Sequence, residues 1–223
     1  MKRKLSLLAV LAICAAVVAT GTLAYFTAED TAHNVITTGG VGIKLVEKIP
    51  DGDDPDEGLD DFKDVDGVMP GTNEYKIVTV HNTEEQPAWV RVWVNTAISE
   101  SGDPISNPTI KCLPLTIEIN GESVNVVEYM VEENGKFVKL ADSQNWADNW
   151  TQGEDGYYYY NRPVEPGQAT EPLFEVVHFA KEMGNEYQNC KVYIDVAAEA
   201  VQTANNPIPE DGDVTDVKGW PET

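Results

Sequence analysis

The sequence is short of positive charge, of histidine and of cysteine, and its one long apolar run lies at the start. Its 15 lysines and arginines stand against 38 aspartates and glutamates, for a formal charge of −23. So acidic a chain argues against nucleic acid as a partner, because phosphates demand cations opposite them, and equally against attraction to anionic lipid headgroups. The histidines His33, His81 and His178 form no His-Glu-x-x-His run that would hold zinc on one helical face. No Gly-x-Ser-x-Gly elbow occurs, and neither Cys112 nor Cys190 sits in surroundings like those of a protease nucleophile. No catalytic residue and no cofactor is expected.

The apolar run itself reads as an export signal. Lys2, Arg3 and Lys4 precede an uncharged stretch from Leu5 to Val18, and Thr22 and Ala24 are the small residues that a signal peptidase reads before Tyr25. A membrane-spanning helix needs about 20 apolar residues, more than this run supplies. Cleavage after Ala24 would remove three cations and no anion, so the processed chain is expected to be more acidic still, secreted or held at the cell surface, and without stable membrane insertion. It would also remove Cys14 and leave two cysteines for an oxidising compartment. Cys112 and Cys190 either form a disulfide, which by closing a long loop would stabilise the fold by about 4 kcal/mol, or remain two thiols.

Beyond the signal, strand patterns dominate. Val41 to Ile49 alternates with period two, Tyr75 to Asn82 follows the Pro70-Gly71 turn, and Ala88 to Asn95 sets Val90, Val92 and Val94 against Trp89, Arg91 and Trp93. Leu115–Ile119 and Glu122–Val126 flank Asn120-Gly121, the pair that a two-residue type I′ hairpin turn favours. Lys136–Leu140, Tyr157–Tyr160, Leu173–Lys181 and Cys190–Ala198 complete the set, and Pro166-Gly167 repeats the earlier corner device. A helical pattern is limited to Trp146–Trp150 or Lys181–Gly184. Short strands joined by turns predict an all-β fold, an antiparallel two-sheet, jelly-roll-like sandwich following an N-terminal signal helix. The expected division is a signal peptide at 1–24, a leading segment at 25–40, one domain at 41–204 and a disordered acidic tail at 205–223.

Two stretches invite a ligand. Asp51, Asp53, Asp54 and Asp56 offer oxygen to Ca²⁺, although Pro55 takes a ligand position of an EF-hand loop, and a solvated charge run is the simpler reading of Asp51 to Asp66. Tyr157 to Tyr160 with the neighbouring tryptophans could make a sugar platform, as in a surface adhesin or glycan-binding module. In a strand, two of those tyrosines would be buried and two exposed, and core packing is the simpler reading of the run.

Three stretches together resemble the TasA/camelysin family of exported proteins, whose signal peptides are of the SipW-dependent type. They are Gly21-Thr-Leu-Ala-Tyr-Phe-Thr-Ala-Glu-Asp30 with Asn34-Val-Ile-Thr-Thr-Gly39 and the strand after it, Met69-Pro-Gly71 with Val78-Thr-Val-His-Asn82, and Gly184-Asn-Glu-Tyr-Gln-Asn189 before the last strand. The stretch from Ser99 to Tyr160 carries no matching motif. The resemblance implies a jelly-roll subunit of extracellular matrix or biofilm fibres in a Gram-positive bacterium, trimmed during export by a SipW-type signal peptidase. Its partners would be other copies of itself and other matrix proteins. Assembly would proceed by donor-strand complementation, with the segment holding Tyr25, Phe26, Val35 and Ile36 entering the next copy's sheet. A camelysin-like surface metalloprotease is the alternative that the resemblance carries, but it lacks a ligand motif here.

The assembly expectation has a physical basis. Tyr25 to Ile36 contains no proline to interrupt a ladder, and an open sheet edge offers unpaired backbone groups to such a segment. The same segment could instead pair within its own subunit. Because the chain is so acidic, acid, salt or divalent cations are expected to favour assembly.

Overall fold

A computed structural model describes residues 26–32, 36–37, 42–50, 58–63, 65–100 and 102–221. In chain order the strands are β1 (Phe26–Ala32), β2 (Ile36–Thr37), β3 (Ile43–Pro50), β4 (Leu59–Asp61), β5 (Val65–Val68), β6 (Asn73–Tyr75), β7 (Ile77–Asn82) and β8 (Ala88–Ser99). They continue as β9 (Thr116–Ile119), β10 (Glu122–Asn125), β11 (Val127–Glu133), β12 (Lys136–Lys139), β13 (Trp150–Gln152), β14 (Tyr158–Tyr160), β15 (Val176–Phe179) and β16 (Lys191–Gln202). Among the described residues the one α-helix is α1 (Gln144–Asn149). The all-β expectation holds.

The largest sheet runs β13-β14-β8-β16-β1-β5, with β2 continuing along β16. A second sheet runs β12-β11-β15-β6, a third β4-β3-β7, and β9 pairs with β10 as a separate hairpin. Residues 168–175 tie the second sheet to the third: Lys76 N donates to Glu175 O at 2.9 Å, Val78 N to Phe174 O at 3.0 Å, and Leu173 N to Val78 O at 2.8 Å. Those two sheets therefore lie side by side. Their inner residues, among them Ile43, Val78, Val80, Val131, Val177 and Phe179, join Val90, Val92, Val192, Ile194 and Val196 of the large sheet in one core. Burial of this apolar area is the main force holding the sheets together. Among the described residues no sheet closes into a barrel.

Local chemistry explains the corners. The Asn120 and Gly121 φ angles of 54° and 87° suit the tight β9–β10 turn. At the two Pro-Gly corners, Thr72 N donates to Met69 O and Gln168 N to Glu165 O, while Gly71 and Gly167 take φ of 81° and 73°. A positive φ at the third position after a proline at the second is the type II signature. The two corners are therefore equivalent turns. Ser143 caps α1 by accepting from Trp146 N at 3.1 Å.

Three features differ from the sequence reading. The acidic stretch from Asp51 to Asp66 is not a loop throughout, because it contains β4 and the start of β5. Lys48 bonds Asp61 at 2.7 Å across β3 and β4. Just past β4, the Phe62 ring lies 4.0 Å from the buried Lys76 ammonium, which is also 2.9 Å from Glu47 Oε1. The backbone ladder from Lys48↔Asp61 to Pro50↔Leu59 holds this acidic strand, and Lys48 sets one cation opposite its charge. The described part of the tail, to residue 221, packs on the domain: Val214 and Val217 are buried, and with Ile208 and Trp220 they lie against Trp89, Tyr159 and Val201 of the large sheet. Those apolar residues anchor a segment whose proline and acid content reads as disordered. Finally, the fold is not purely antiparallel, since β1 and β2 run parallel to β16.

Candidate functional site

The strand slot beside β16 is the candidate site. β16 pairs with β8 along its full length, from Lys191↔Ser99 to Gln202↔Ala88. Its core-facing residues Val192, Ile194, Val196, Ala198 and Ala200 are buried, and so are Tyr193, Asp195, Glu199 and Val201 on the opposite face. A strand covered on both faces and paired on one side has a single free margin, and its unpaired N–H and C=O groups must find partners there.

The leading segment fills that margin from the same chain. Thr27 to Ala32 align with Lys191 to Val196, and Ile36 and Thr37 align with Glu199 and Ala200. Between Ala32 and Ile36 the segment uses one residue more than β16 does over the corresponding span. On its far side β1 is antiparallel to β5, with Phe26 opposite Val68 and Ala28 opposite Val65, and the register shifts between those pairs. β1 is therefore an interior strand, laddered to β16 on one edge and, at Phe26 and Ala28, to β5 on the other, while among the described residues β2 pairs with β16 alone. Of the residues expected to form the assembly segment, Phe26 and Ile36 take these positions, while Tyr25 and Val35 lie outside the described residues. So do the cleavage residues Thr22 and Ala24, His33, and the calcium candidates Asp51, Asp53, Asp54 and Asp56.

On the opposite face of the same sheet a charged cluster sits under the tail. Arg91 Nε donates to Glu199 Oε2 at 2.7 Å, its Nη2 lies 2.6 Å from the same oxygen, and Nη1 reaches Tyr159 Oη at 3.2 Å and Asp155 at 3.6 Å. The guanidinium lies 3.9 Å from the Tyr157 ring centre and 4.7 Å from that of Trp220. Burial opposes its charge, but the hydrogen bonds to Tyr159 and Glu199 and the Glu199 charge hold the Arg91 pKa above its ordinary value. The tyrosine run does not split into two buried and two exposed residues. Tyr159 and Tyr160 are both buried, because the core covers one face of β14 and the tail covers the other, and Tyr157 and Tyr158 are half-buried.

The remaining candidates are scattered. Cys112 is exposed, Cys190 is buried, and both are free, so the disulfide considered from the sequence is not formed. Burial, followed by the Glu100 charge, pushes the Cys190 thiol pKa up, which makes it a poor nucleophile. His81 Nε2 is 3.3 Å from Thr79 Oγ1, and burial with the charges of Lys44 and Lys48 lowers its pKa; His178 Nδ1 meets Asn73 Oδ1 at 2.6 Å. Among the described residues no three His, Cys, Asp or Glu side chains are grouped to hold a metal ion. None of their helices is long and apolar enough to cross a membrane.

Fold and slot together define an all-β protein whose first described strand, β1, lies between β16 from the far end of the chain and β5 from its first third. Comparison with protein-family models, curated proteins and solved structures gives no match. Sequence reasoning singled out the leading segment but not its partner strands, and it missed the Arg91 cluster. The one available signal for that cluster was the spacing of Val214, Val217 and Trp220 in an otherwise polar tail.

Proposed function

We propose that the protein is a secreted structural subunit, jelly-roll-like in topology, that forms extracellular matrix fibres by placing its leading segment into the slot of the next copy. The observation that carries this reading is the insertion of β1 between β16 and β5, two strands from distant parts of the sequence. A slot that accepts residues 27–32 and 36–37 of its own chain presents the same backbone groups to those residues of a neighbour. Exchange thus costs little in contacts. Head-to-tail exchange does not close, so it propagates as a filament.

Export fits the same account, since a SipW-type peptidase cutting after Ala24 would release the segment one residue before β1 begins. Repulsion between acidic copies sets the conditions for assembly, and screening over about 8–10 Å at physiological salt weakens it.

Electron microscopy of residues 25–223, beside a chain lacking residues 25–36, tests the proposal. Fibres from the first and none from the second are expected. A chain 25–223 that stays monomeric across acid, high-salt and calcium conditions overturns it.

A further inference from the structure

At the margin of the fold where β12 and β13 are the outermost strands, the two layers leave a cleft of about 230 Å³. Its walls come from β11 and the end of β12 on one side and from β13 and β14 on the other, with α1 between them. Tyr129, Trp146 and Tyr158 supply aromatic surface. Trp146 Nε1 is committed to Leu173 O at 2.9 Å, so that indole offers the cleft hydrocarbon alone. Its ring meets Tyr158 edge to face, with centres 6.0 Å apart.

Polar groups converge on this apolar surface with bonding capacity to spare. Among the described residues nothing bonds the Tyr158 hydroxyl or the Gln152 side-chain amide, and both residues line the cleft. Asn125 uses Oδ1 to accept from Thr116 at 3.3 Å, which leaves its amide N–H groups free. At the rim Lys139 Nζ donates to Glu128 Oε1 at 2.6 Å, and the second Glu128 oxygen remains an acceptor. Burial pushes the Tyr158 phenol pKa up, so it stays a neutral donor at physiological pH.

We infer that this cleft binds a neutral saccharide, one pyranose ring of a hydroxyl-rich glycan chain. Aromatic and aliphatic surface packs against the C–H face of a sugar ring, while planar amides, a phenol and a carboxylate bond its hydroxyls. Alternative ligand classes fit less well. A lipid chain would strand the amides and the phenol, whose burial without partners is costly. A polyanion meets a chain of formal charge −23 and, in the cleft, a lysine already paired with Glu128. The size suits one ring at a time, and the open margin lets a polymer continue past it. This site is separate from the strand slot and does not depend on fibre formation.

The test is saturation-transfer NMR and calorimetry on residues 25–223, which contain every described element, with maltohexaose, cellohexaose and N-acetylchitohexaose as neutral probes and hyaluronan as the anionic one. At least one neutral probe is expected to bind. Gln152→Ala and Tyr158→Phe, each removing hydrogen bonds at the cleft while leaving the fold, should each weaken it by about 3- to 10-fold. Glu118→Ala, an exposed change on β9, should leave binding as it was. Absence of binding by all neutral probes at millimolar concentration, equal binding by the two cleft variants, or tighter binding of hyaluronan overturns the inference.

Discussion

Arg91 and Glu199 face each other across β8 and β16 as a register pair, and their side chains, 9% and 6% exposed, meet at 2.6 Å beneath the C-terminal segment. A charge so placed has lost most of its water and depends on its partner.

Removing one member alone should therefore be costly. Arg91→Met leaves the Glu199 carboxylate buried beside the Tyr157 hydroxyl, and a loss of about 3–5 kcal/mol is expected in urea unfolding. Arg91→Met with Glu199→Met should recover most of that loss, because the apolar pair needs no hydration. A single variant as stable as the unaltered protein would show that the cluster is hydrated.

The tail over this pair is expected to be part of the folded unit. Val217 is 1% exposed and packs in the cluster with Trp89 and Tyr159. Val217→Ala should cost about 1–3 kcal/mol from lost burial and the cavity left behind. Deletion of residues 206–223 should cost more and should expose Trp89, read as a red-shifted tryptophan emission. An unchanged melting temperature after deletion would restore the reading of a disordered tail.

Legibility followed the range of the interactions. The hairpin at Asn120-Gly121 and the corners at Pro70-Gly71 and Pro166-Gly167 were readable because their geometry is set by neighbouring residues. The valines of β8 and β16 were readable because alternation marks a strand with a core face. What alternation cannot supply is the partner. Nothing near Phe26 in the chain says that residues 27–32 will lie parallel to residues 191–196, and nothing local to Asp60 reveals that Lys48 will face the next residue. The second face of β16 was hidden for the same reason, since nothing near Asp195 and Glu199 in the chain names the segments that cover them.

Acid should act through Glu175 as well as through net charge. Burial, which outweighs the hydrogen bond its Oε2 accepts from Glu132 N at 2.6 Å, raises the Glu175 pKa above its ordinary value. A carboxyl with a raised folded-state pKa binds more protons folded than unfolded, so stability falls as pH rises from about 4.5, the unfolded value, through the folded pKa. Glu175→Gln, which keeps an acceptor for Glu132 N, should raise the melting temperature at pH 7 and leave it little changed at pH 4. An equal shift at both pH values would assign the effect to packing rather than to ionisation.

The slot itself can report which copy fills it. Thr31 and Asp195 are register partners across β1 and β16, so Thr31→Cys with Asp195→Cys, in a background of Cys112→Ala and Cys190→Ala, places two thiols on adjacent strands. Oxidised before assembly, the pair should link within one chain, run as a monomer on a denaturing gel and block fibre growth by locking each segment at home. Oxidised after assembly, the same pair should link successive copies into a covalent ladder, because each segment then lies against a neighbour's β16. Reduction should release both products. If fibres form but oxidation yields only monomers, the segment never leaves its own sheet, and the copies must be joined through some other surface.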